Sequence, residues 1–175
     1  GGMGYGFAEL NVFLEACGRV LAPVPAIETT VAALALANFG GERAEETLCQ
    51  VAAGQVVLSA AIFEENQYDP ADAQTTFAHG ALRGKKLCVP YAEQAQVLLV
   101  TAQDNGEVGL YAVDMSHHGV SKKTLKATSY QPQAEVTFLD APATKLGDAE
   151  AVKFLLEHYT TAICSYQTGA LEKMV

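Results

Sequence analysis

The sequence has few basic residues, no long apolar run and none of the short motifs that mark common catalytic sites. Its 175 residues include 11 Lys and Arg against 20 Asp and Glu, which gives a net charge of −9. This acidic balance argues against nucleic acids and anionic membranes as partners. No apolar stretch reaches the roughly 18 residues that a membrane-spanning helix needs. Residues 1–4 carry no basic segment, so we expect no signal peptide and a cytoplasmic location.

Motifs for metals, phosphates and nucleophiles are also absent. No two cysteines are spaced as C-x-x-C, so we expect buried free thiols and no metal site. His117 and His118 are adjacent and would point opposite ways in a strand, which is a poor arrangement for chelation. The glycines at positions 2, 4 and 6 lack the G-x-G-x-x-G spacing and follow no strand, so they predict a tight turn into a helix. A G-x-S-x-G nucleophile motif does not occur.

The sequence does contain three blocks of different character. Residues 1–54 are rich in Ala and Leu and predict helices. Residues 55–147 carry short apolar stretches separated by turn residues, which predict strands, and residues 148–175 form one long amphipathic pattern. We therefore predict an α+β fold with N-terminal helices, a central antiparallel β-barrel or sandwich domain and a long C-terminal helix. The three blocks are the predicted domains.

Periodicity and turn residues define the predicted elements. Apolar residues at steps of three and four predict a first helix that ends before Pro23, and Gly40 and Gly54 end the second and third helices. Asp104, Asn105 and Gly106 predict a tight hairpin. The predicted strands are residues 56–58, 75–82, 86–89, 97–101, 108–113, 125–130 and 135–139. The last helix has no obvious partner of its own length in this chain, which favours association with other chains.

Two groups of charged residues are candidates for function on chemical grounds alone. Glu64 and Glu65 follow an apolar strand, where a pair of carboxylates can serve acid–base catalysis, although most such pairs are solvated surface. Lys122, Lys123 and Lys126 form a basic cluster, for which a solvated loop and a phosphate contact both stay open. No motif by itself names a reaction.

The order of the blocks and several short motifs together resemble the acyl-CoA dehydrogenase family. The Gly-rich start, the stretch 15–19 and Pro23 resemble that family's Gly-rich turn, its helix ending in E-x-x-G-R and the Pro that follows. Residues 82–92 resemble its strand of the form L-x-G-x-K-x-W-I-T-x-A, and the match continues through residues 109–114, 119–120 and 134–138. The resemblance covers essentially the whole chain.

The resemblance implies a flavoenzyme that is only partly present here. Residues 1–54 correspond to part of an N-terminal helical domain, 55–147 to a middle β domain and 148–175 to the first helix of a C-terminal bundle. In such enzymes FAD lies between the middle domain and the bundle, and an acyl-CoA loses an α-proton to a Glu and a hydride to the flavin. The implied partners are the acyl-CoA, an electron-transfer flavoprotein or similar acceptor, and further subunits in a homo- or hetero-oligomer.

The matched positions give the candidate cofactor site. Phe63 and Glu64 fall on the family's T-E-P loop, and Cys88, Val89 and Pro90 fall on its W-I-T strand. Phe63 and Pro90 lack the hydroxyls that would bond the flavin, so we expect backbone groups near Val89 to contact the isoalloxazine. The V-P pattern resembles a branch of the family that acts on steroid-derived or other bulky acyl-CoA esters, with some members paired to a second subunit.

The catalytic base is not identified. The R-x-Q-F-G stretch and the usual catalytic Glu of the family have no match in these residues, so the base is expected outside this chain. Lys122, Lys123 and Lys126 are the candidates for the CoA phosphates. Two alternatives stay open: a non-catalytic partner subunit that keeps the fold without the site, and a flavin-dependent oxidase or monooxygenase of the same superfamily.

Overall fold

The computed structural model describes residues 4–67, 69–70, 72–129 and 131–174. The helices are α1 (Phe7–Arg19), α2 (Ala26–Phe39), α3 (Glu45–Ala52) and α4 (Ala149–Met174), with a short 3₁₀ helix at Gly41–Ala44 before α3. The strands are β1 (Leu58–Ala61), β2 (Thr76–Ala78), β3 (Ala81–Pro90), β4 (Val97–Asp104), β5 (Glu107–Asp114), β6 (Val120–Leu125) and β7 (Gln133–Gly147). Helices therefore precede and follow a central β region, as predicted.

Five strands close a barrel in the order β4, β2, β3, β7, β5 and back to β4. Strand β7 closes it because its 15 residues are long enough to pair with β3 along the first part and with β5 along the last. Two strands lie outside the ring, where β6 pairs with β7 and β1 pairs in parallel with β4. Most pairs are antiparallel, and the predicted α+β class is confirmed.

Two tight turns shape the hairpins. The predicted turn between β4 and β5 is confirmed, since Asn105 and Gly106 have φ of 53° and 90° and Asp104 pairs with Glu107. The stretch 75–82, predicted as a single strand, is instead a second hairpin. It reverses at His79 and Gly80, whose φ values of 51° and 81° are those of a left-handed turn. Alternation of side chains continues across such a turn, which is why the sequence pattern hid it.

The strand predicted at 125–130 was misplaced. Strand β6 lies earlier, at Val120–Leu125, and Tyr130 lies outside the described residues. Lys122 and Lys123 are therefore strand residues and not part of a solvated loop. Strand β6 has a neighbour only in β7 and mixes half-buried with exposed side chains, so its sequence lacks the apolar alternation that marks a strand.

Helix α4 has its partners within the chain. Helices α1 and α2 have 13 and 14 residues against the 26 of α4, so two shorter helices share its length. Its contact with α1 is backbone to backbone, because a Cβ at Gly18 would overlap the carbonyl oxygen of Tyr166, and a Cβ at Gly169 would overlap that of Glu15. None of the helices described here is both long and apolar enough to cross a membrane.

Two hydrophobic clusters form the core, one inside the barrel and one between the barrel and the helices. Strand β4 contributes to both, since Leu98 and Val100 point into the barrel whereas Leu99 packs under the helices. Because the second cluster joins helices to strands, the division into three domains stays a prediction.

The cysteines differ from expectation. Cys17 is buried, but Cys49, Cys88 and Cys164 are exposed, and all four are free thiols. The prediction of buried thiols is therefore wrong for three of them. Cys49 and Cys164 lie at exposed positions of α3 and α4, and Cys88 lies in an irregular part of β3 described below.

Candidate functional site

A cavity of about 710 Å³ lies between the barrel and the helices. Its β wall is formed by β1, the residues after it and the end of β3, and its helical wall by the start of α2 and the middle of α4. The α1–α2 connection and residues 129–133, apart from the undescribed residue 130, complete the lining. The volume is that of a site for a ligand of drug size or larger.

A β-bulge shapes the β wall. The pairing of β3 with β7 jumps from Lys86 opposite Val136 to Val89 opposite Ala134, so β3 carries one extra residue. Cys88, in the bulge, has a φ of 52°. The extra residue changes which side chains point inward, so Val89 is only 1% exposed and packs inside the barrel while Cys88 is exposed.

Three of the five predicted cofactor residues line this wall together. Phe63, Cys88 and Pro90 all border the cavity, and the Phe63 side chain is 53% exposed. Two hydrogen bonds to backbone carbonyls fix the wall, because the Leu87 N–H donates to the Phe63 carbonyl at 2.8 Å and the Ser59 hydroxyl donates to the Pro90 carbonyl at 2.6 Å. Glu64 and Val89 do not line the cavity.

Glu64 lies behind the wall in a buried ion pair. Its carboxylate lies 2.6 Å from Lys86 Nζ, with both side chains at most 3% exposed, and it accepts hydrogen bonds from the backbone N–H groups of Gln74 and Thr75. Burial alone would raise the pKa of Glu64, but Lys86 and Thr75 outweigh it, so the pKa lies below its ordinary value. Burial lowers the pKa of Lys86 to about 8, against the opposing effect of Glu64. The pair anchors the segment that carries Phe63.

The helical wall carries a buried acid that none of the sequence motifs includes. Glu28 of α2 is 4% exposed and accepts a hydrogen bond from Gln131 Nε2 at 3.0 Å and another from the Tyr159 hydroxyl. Burial is the largest influence on Glu28 and raises its pKa, and the hydrogen bonds it accepts only partly oppose this. Burial, together with the nearby Glu28, also raises the pKa of Tyr159. All three side chains line the cavity.

The sequence contained a signal for Glu28. The buried face of α2 consists of Glu28, Val31, Ala32, Ala35 and Leu36, which follow helical spacing. An acid in phase with the apolar face of a helix is expected to be buried, and a buried acid needs partners.

The basic cluster lies away from the cavity. Lys122 and Lys123 are neighbours in β6, opposite Val136 and Glu135 of β7, so their side chains point to opposite faces. Lys126 follows the strand and is exposed. None of the three lysines lines the cavity.

Curated proteins with similar sequences are acyl-CoA dehydrogenases. The chain is 29% identical over 179 residues to the acyl-CoA dehydrogenase FadE27 of Mycobacterium tuberculosis, a match that covers 99% of this chain and 48% of the relative. It is 41% identical over 112 residues to FadE28 of the same organism, covering 62% of this chain and 32% of the relative. The chain thus spans about half the length of FadE27, and its match to FadE28 covers about a third of that relative. No family model matches the sequence.

Solved structures share the fold. A variant of the Tcur3481–Tcur3483 steroid ACAD is 33% identical with a TM-score of 0.91, over 96% of this chain and 47% of that one. The ChsE4–ChsE5 complex of Mycobacterium tuberculosis is 26% identical with a TM-score of 0.88, over 97% and 48% of the two chains. PigA with FAD and proline, at 18% identity and a TM-score of 0.86 over 99% and 52%, is similar in fold alone. Sequence and fold together confirm the resemblance of this partial chain to the acyl-CoA dehydrogenase family.

Proposed function

We propose that the chain is part of an FAD-dependent acyl-CoA dehydrogenase, in which the cavity receives the acyl group and its β wall faces the flavin. One observation carries the proposal: Phe63, Cys88 and Pro90, from two separate segments that match the family's flavin-facing motifs, line a single cavity together with α4. The curated relatives are acyl-CoA dehydrogenases, which supports the same reaction class for the full-length protein.

The β wall fits a flat ring system by apolar contact. The phenyl ring of Phe63 and the pyrrolidine ring of Pro90 have no hydrogen-bonding groups and the thiol of Cys88 is a weak donor, so hydrogen bonds from these three residues to a flavin would come mainly from the backbone. The bulge leaves Leu87 and Cys88 without partners in the β3–β7 register, and irregular backbone of this kind is a common device beside functional sites. Bound FAD would accept the hydride removed from the acyl group.

The residues of this chain would bind and shield the substrate rather than transfer its proton. The apolar part of the lining would keep water from the acyl group, which strengthens any electrostatic interaction made there. We assign no catalytic base in this chain and propose that the base lies elsewhere in the full-length protein.

The size of the cavity and one structural relative of the chain support a bulky acyl group as substrate, including a steroid-derived one. The cavity volume of about 710 Å³ exceeds what a short linear chain fills, and one relative in structure is described as a steroid ACAD. The CoA phosphates would contact Lys122, Lys123 or Lys126 only if the nucleotide end of the substrate reached β6, outside the cavity. That contact remains a proposal.

The test is flavin binding by the full-length protein. We expect the purified protein to show flavin absorbance and to oxidise a bulky acyl-CoA with an electron-transfer flavoprotein or a dye as acceptor. Phe63→Ala should weaken FAD binding about tenfold through loss of aromatic contact. Leu139→Ala is the matched control, because Leu139 is 63% exposed and does not line the cavity. A protein that binds no FAD, alone or with a partner subunit, would refute the proposal.

A second candidate is a non-catalytic subunit of a two-subunit dehydrogenase. It is favoured by the lack of hydroxyls at Phe63 and Pro90 and by the two-component composition of the ChsE4–ChsE5 complex. In that case flavin and activity would appear only after the partner subunit is added. Turnover by the full-length protein alone would exclude it, and oxygen consumption by the reduced flavin would instead point to an oxidase or monooxygenase.

A further inference from the structure

We propose that Glu28 is a specificity-determining residue. With Tyr159 of α4 and Gln131 of the segment before β7 it forms a polar anchor in the cavity, where its carboxylic acid donates a hydrogen bond to a hydroxyl or ketone oxygen on an otherwise apolar acyl group. The inference rests on the proposed function, since it names the substrate chemistry that the cavity selects. It concerns residues outside the motifs that match the family.

The hydrogen-bond inventory of the anchor supports this role. The Gln131 amide nitrogen and the Tyr159 hydroxyl both donate to Glu28, so the oxygens of the carboxyl group are already used as acceptors by protein donors. Glu28 has no cationic partner among the charged groups that act on it in the described residues, it is 4% exposed, and burial raises its pKa, so its neutral acid persists to a higher pH than that of an exposed Glu. A neutral acid has one O–H to donate, and both neighbours are already donors toward it.

The position of the anchor points that donor at a ligand. Glu28, Gln131 and Tyr159 all line the cavity beside the apolar Ile27 and Ile163, and the hydroxyls of Tyr91 and Tyr166 lie near Glu28 in the same lining. An apolar pocket with a few convergent polar groups orients a ligand through those groups. A ligand without an oxygen there would leave the buried donor unsatisfied, so the site should reject it.

The experiment compares two acyl-CoA esters that differ only in one ring ketone, using the full-length protein with FAD. Binding is measured by titration calorimetry and by the change in flavin absorbance. We expect the wild-type protein to bind the ketone at least tenfold more tightly than its deoxo analogue. Glu28→Gln keeps a neutral donor and should retain that preference within about threefold, whereas Glu28→Met, of similar length but apolar, should abolish it.

Two further variants keep the test decisive. Tyr159→Phe removes one of the groups that orient Glu28 and should reduce the preference even if Glu28→Met fails to fold. Glu45→Gln, at an exposed position of α3, is the control and should change nothing. Equal binding of both esters by the wild type, or an unchanged preference in Glu28→Met, would overturn the inference.

The outcome also separates this inference from the proposed function. If the protein bound no FAD and neither ester, the proposed function would fail. If it bound FAD and both esters equally and Glu28→Gln lost turnover, the anchor would be refuted and Glu28 would be a base instead.

Discussion

Two buried glutamates in this chain have opposite electrostatic environments. Glu64, behind the β wall of the cavity, faces the Lys86 ammonium at 2.6 Å, and its pKa is lowered. Glu28, in the wall of the cavity, has only neutral hydrogen-bond donors, and its pKa is raised. Burial acts on both in the same direction, so the partner decides the charge. The ion pair favours the carboxylate of Glu64, which serves the structure, whereas the raised pKa of Glu28 extends its neutral acid, with an O–H for a ligand, to higher pH.

The largest expected effect comes from breaking the ion pair. Lys86→Met should destabilise the full-length protein by about 3–5 kcal/mol, because it leaves the Glu64 carboxylate buried without a counter-charge. The measurement is urea unfolding at neutral pH. Adding Glu64→Gln to Lys86→Met should restore part of the loss, since the second change removes the unpaired charge.

The neighbouring lysine provides the control for this prediction. Lys85 is 47% exposed and pairs with Glu135 at 3.4 Å on the surface. Lys85→Met should therefore cost no more than about 1 kcal/mol. If both lysine variants lost the same free energy of unfolding, burial would not explain the difference between Glu64 and a surface acid.

A smaller effect is expected on the helical side, where α4 positions Tyr159 near Glu28. Gly169→Ala would force the backbones of α1 and α4 apart and should cost about 1–3 kcal/mol, reduced by the better helix propensity of Ala. Thr168→Ala, one residue earlier at an exposed position, is the control. Urea unfolding should show a loss for Gly169→Ala alone. Equal stability of the two variants would mean that the α1 backbone leaves room for a methyl group at position 169.

The comparison of the two acids also shows how far the sequence predicts this molecule. The hairpin at Asn105 and Gly106 and the ends of α1 and α2 depend on local residues, and they were predicted. The bulge at Cys88 and the parallel pairing of β1 with β4 depend on neighbours distant in the chain, and they were not. Of the residues that the short motifs predict for the cofactor, Phe63, Cys88 and Pro90 line one cavity. Val89 does not, because the bulge changes the phase of β3, and Glu64 does not, because it pairs with Lys86 behind the wall.

The role of Glu28 was missed for a similar reason. Its helical phase indicates burial, but its partner Gln131 is 103 residues away and Tyr159 lies in another helix. Spacing within one helix cannot show that such groups converge on a cavity. A buried acid in phase with an apolar face is the feature to look for in related sequences.

The pH dependence of stability should differ in sign between the two acids. The folded-state pKa of Glu28 is raised above its ordinary value of 4.5, so the stability it contributes is complete below pH 4.5 and is lost as the pH rises through the folded pKa. The folded-state pKa of Glu64 is lowered, so its contribution is present above pH 4.5 and is lost as the pH falls through the folded pKa.

These signs are read from the difference between the wild type and each Gln variant in urea unfolding across the acidic and neutral range. The stability advantage of the wild type over Glu28→Gln should shrink as the pH rises, and its advantage over Glu64→Gln should grow. The groups near Glu28 carry no charge in this range, namely Gln131, Tyr91, Tyr159 and Tyr166. Parallel pH profiles for the two variants would contradict the assigned charge states.

The smallest effect on stability is expected for an ion pair on the surface. It tests whether burial is the reason for the large effect at Lys86 and Glu64. Arg83 donates through Nη2 to both carboxylate oxygens of Asp140, at 2.9 and 2.8 Å, with the side chains 67% and 72% exposed. Solvent screens such a pair, so a double-mutant cycle with Arg83→Met and Asp140→Asn should give a coupling close to zero. Asn is the right replacement because Asp140 has a φ of 52°, which Asn tolerates better than most residues that carry a side chain. The same cycle at Lys86 and Glu64 should give a large coupling, and a comparable coupling at both pairs would show that geometry, not burial, sets the strength of these contacts.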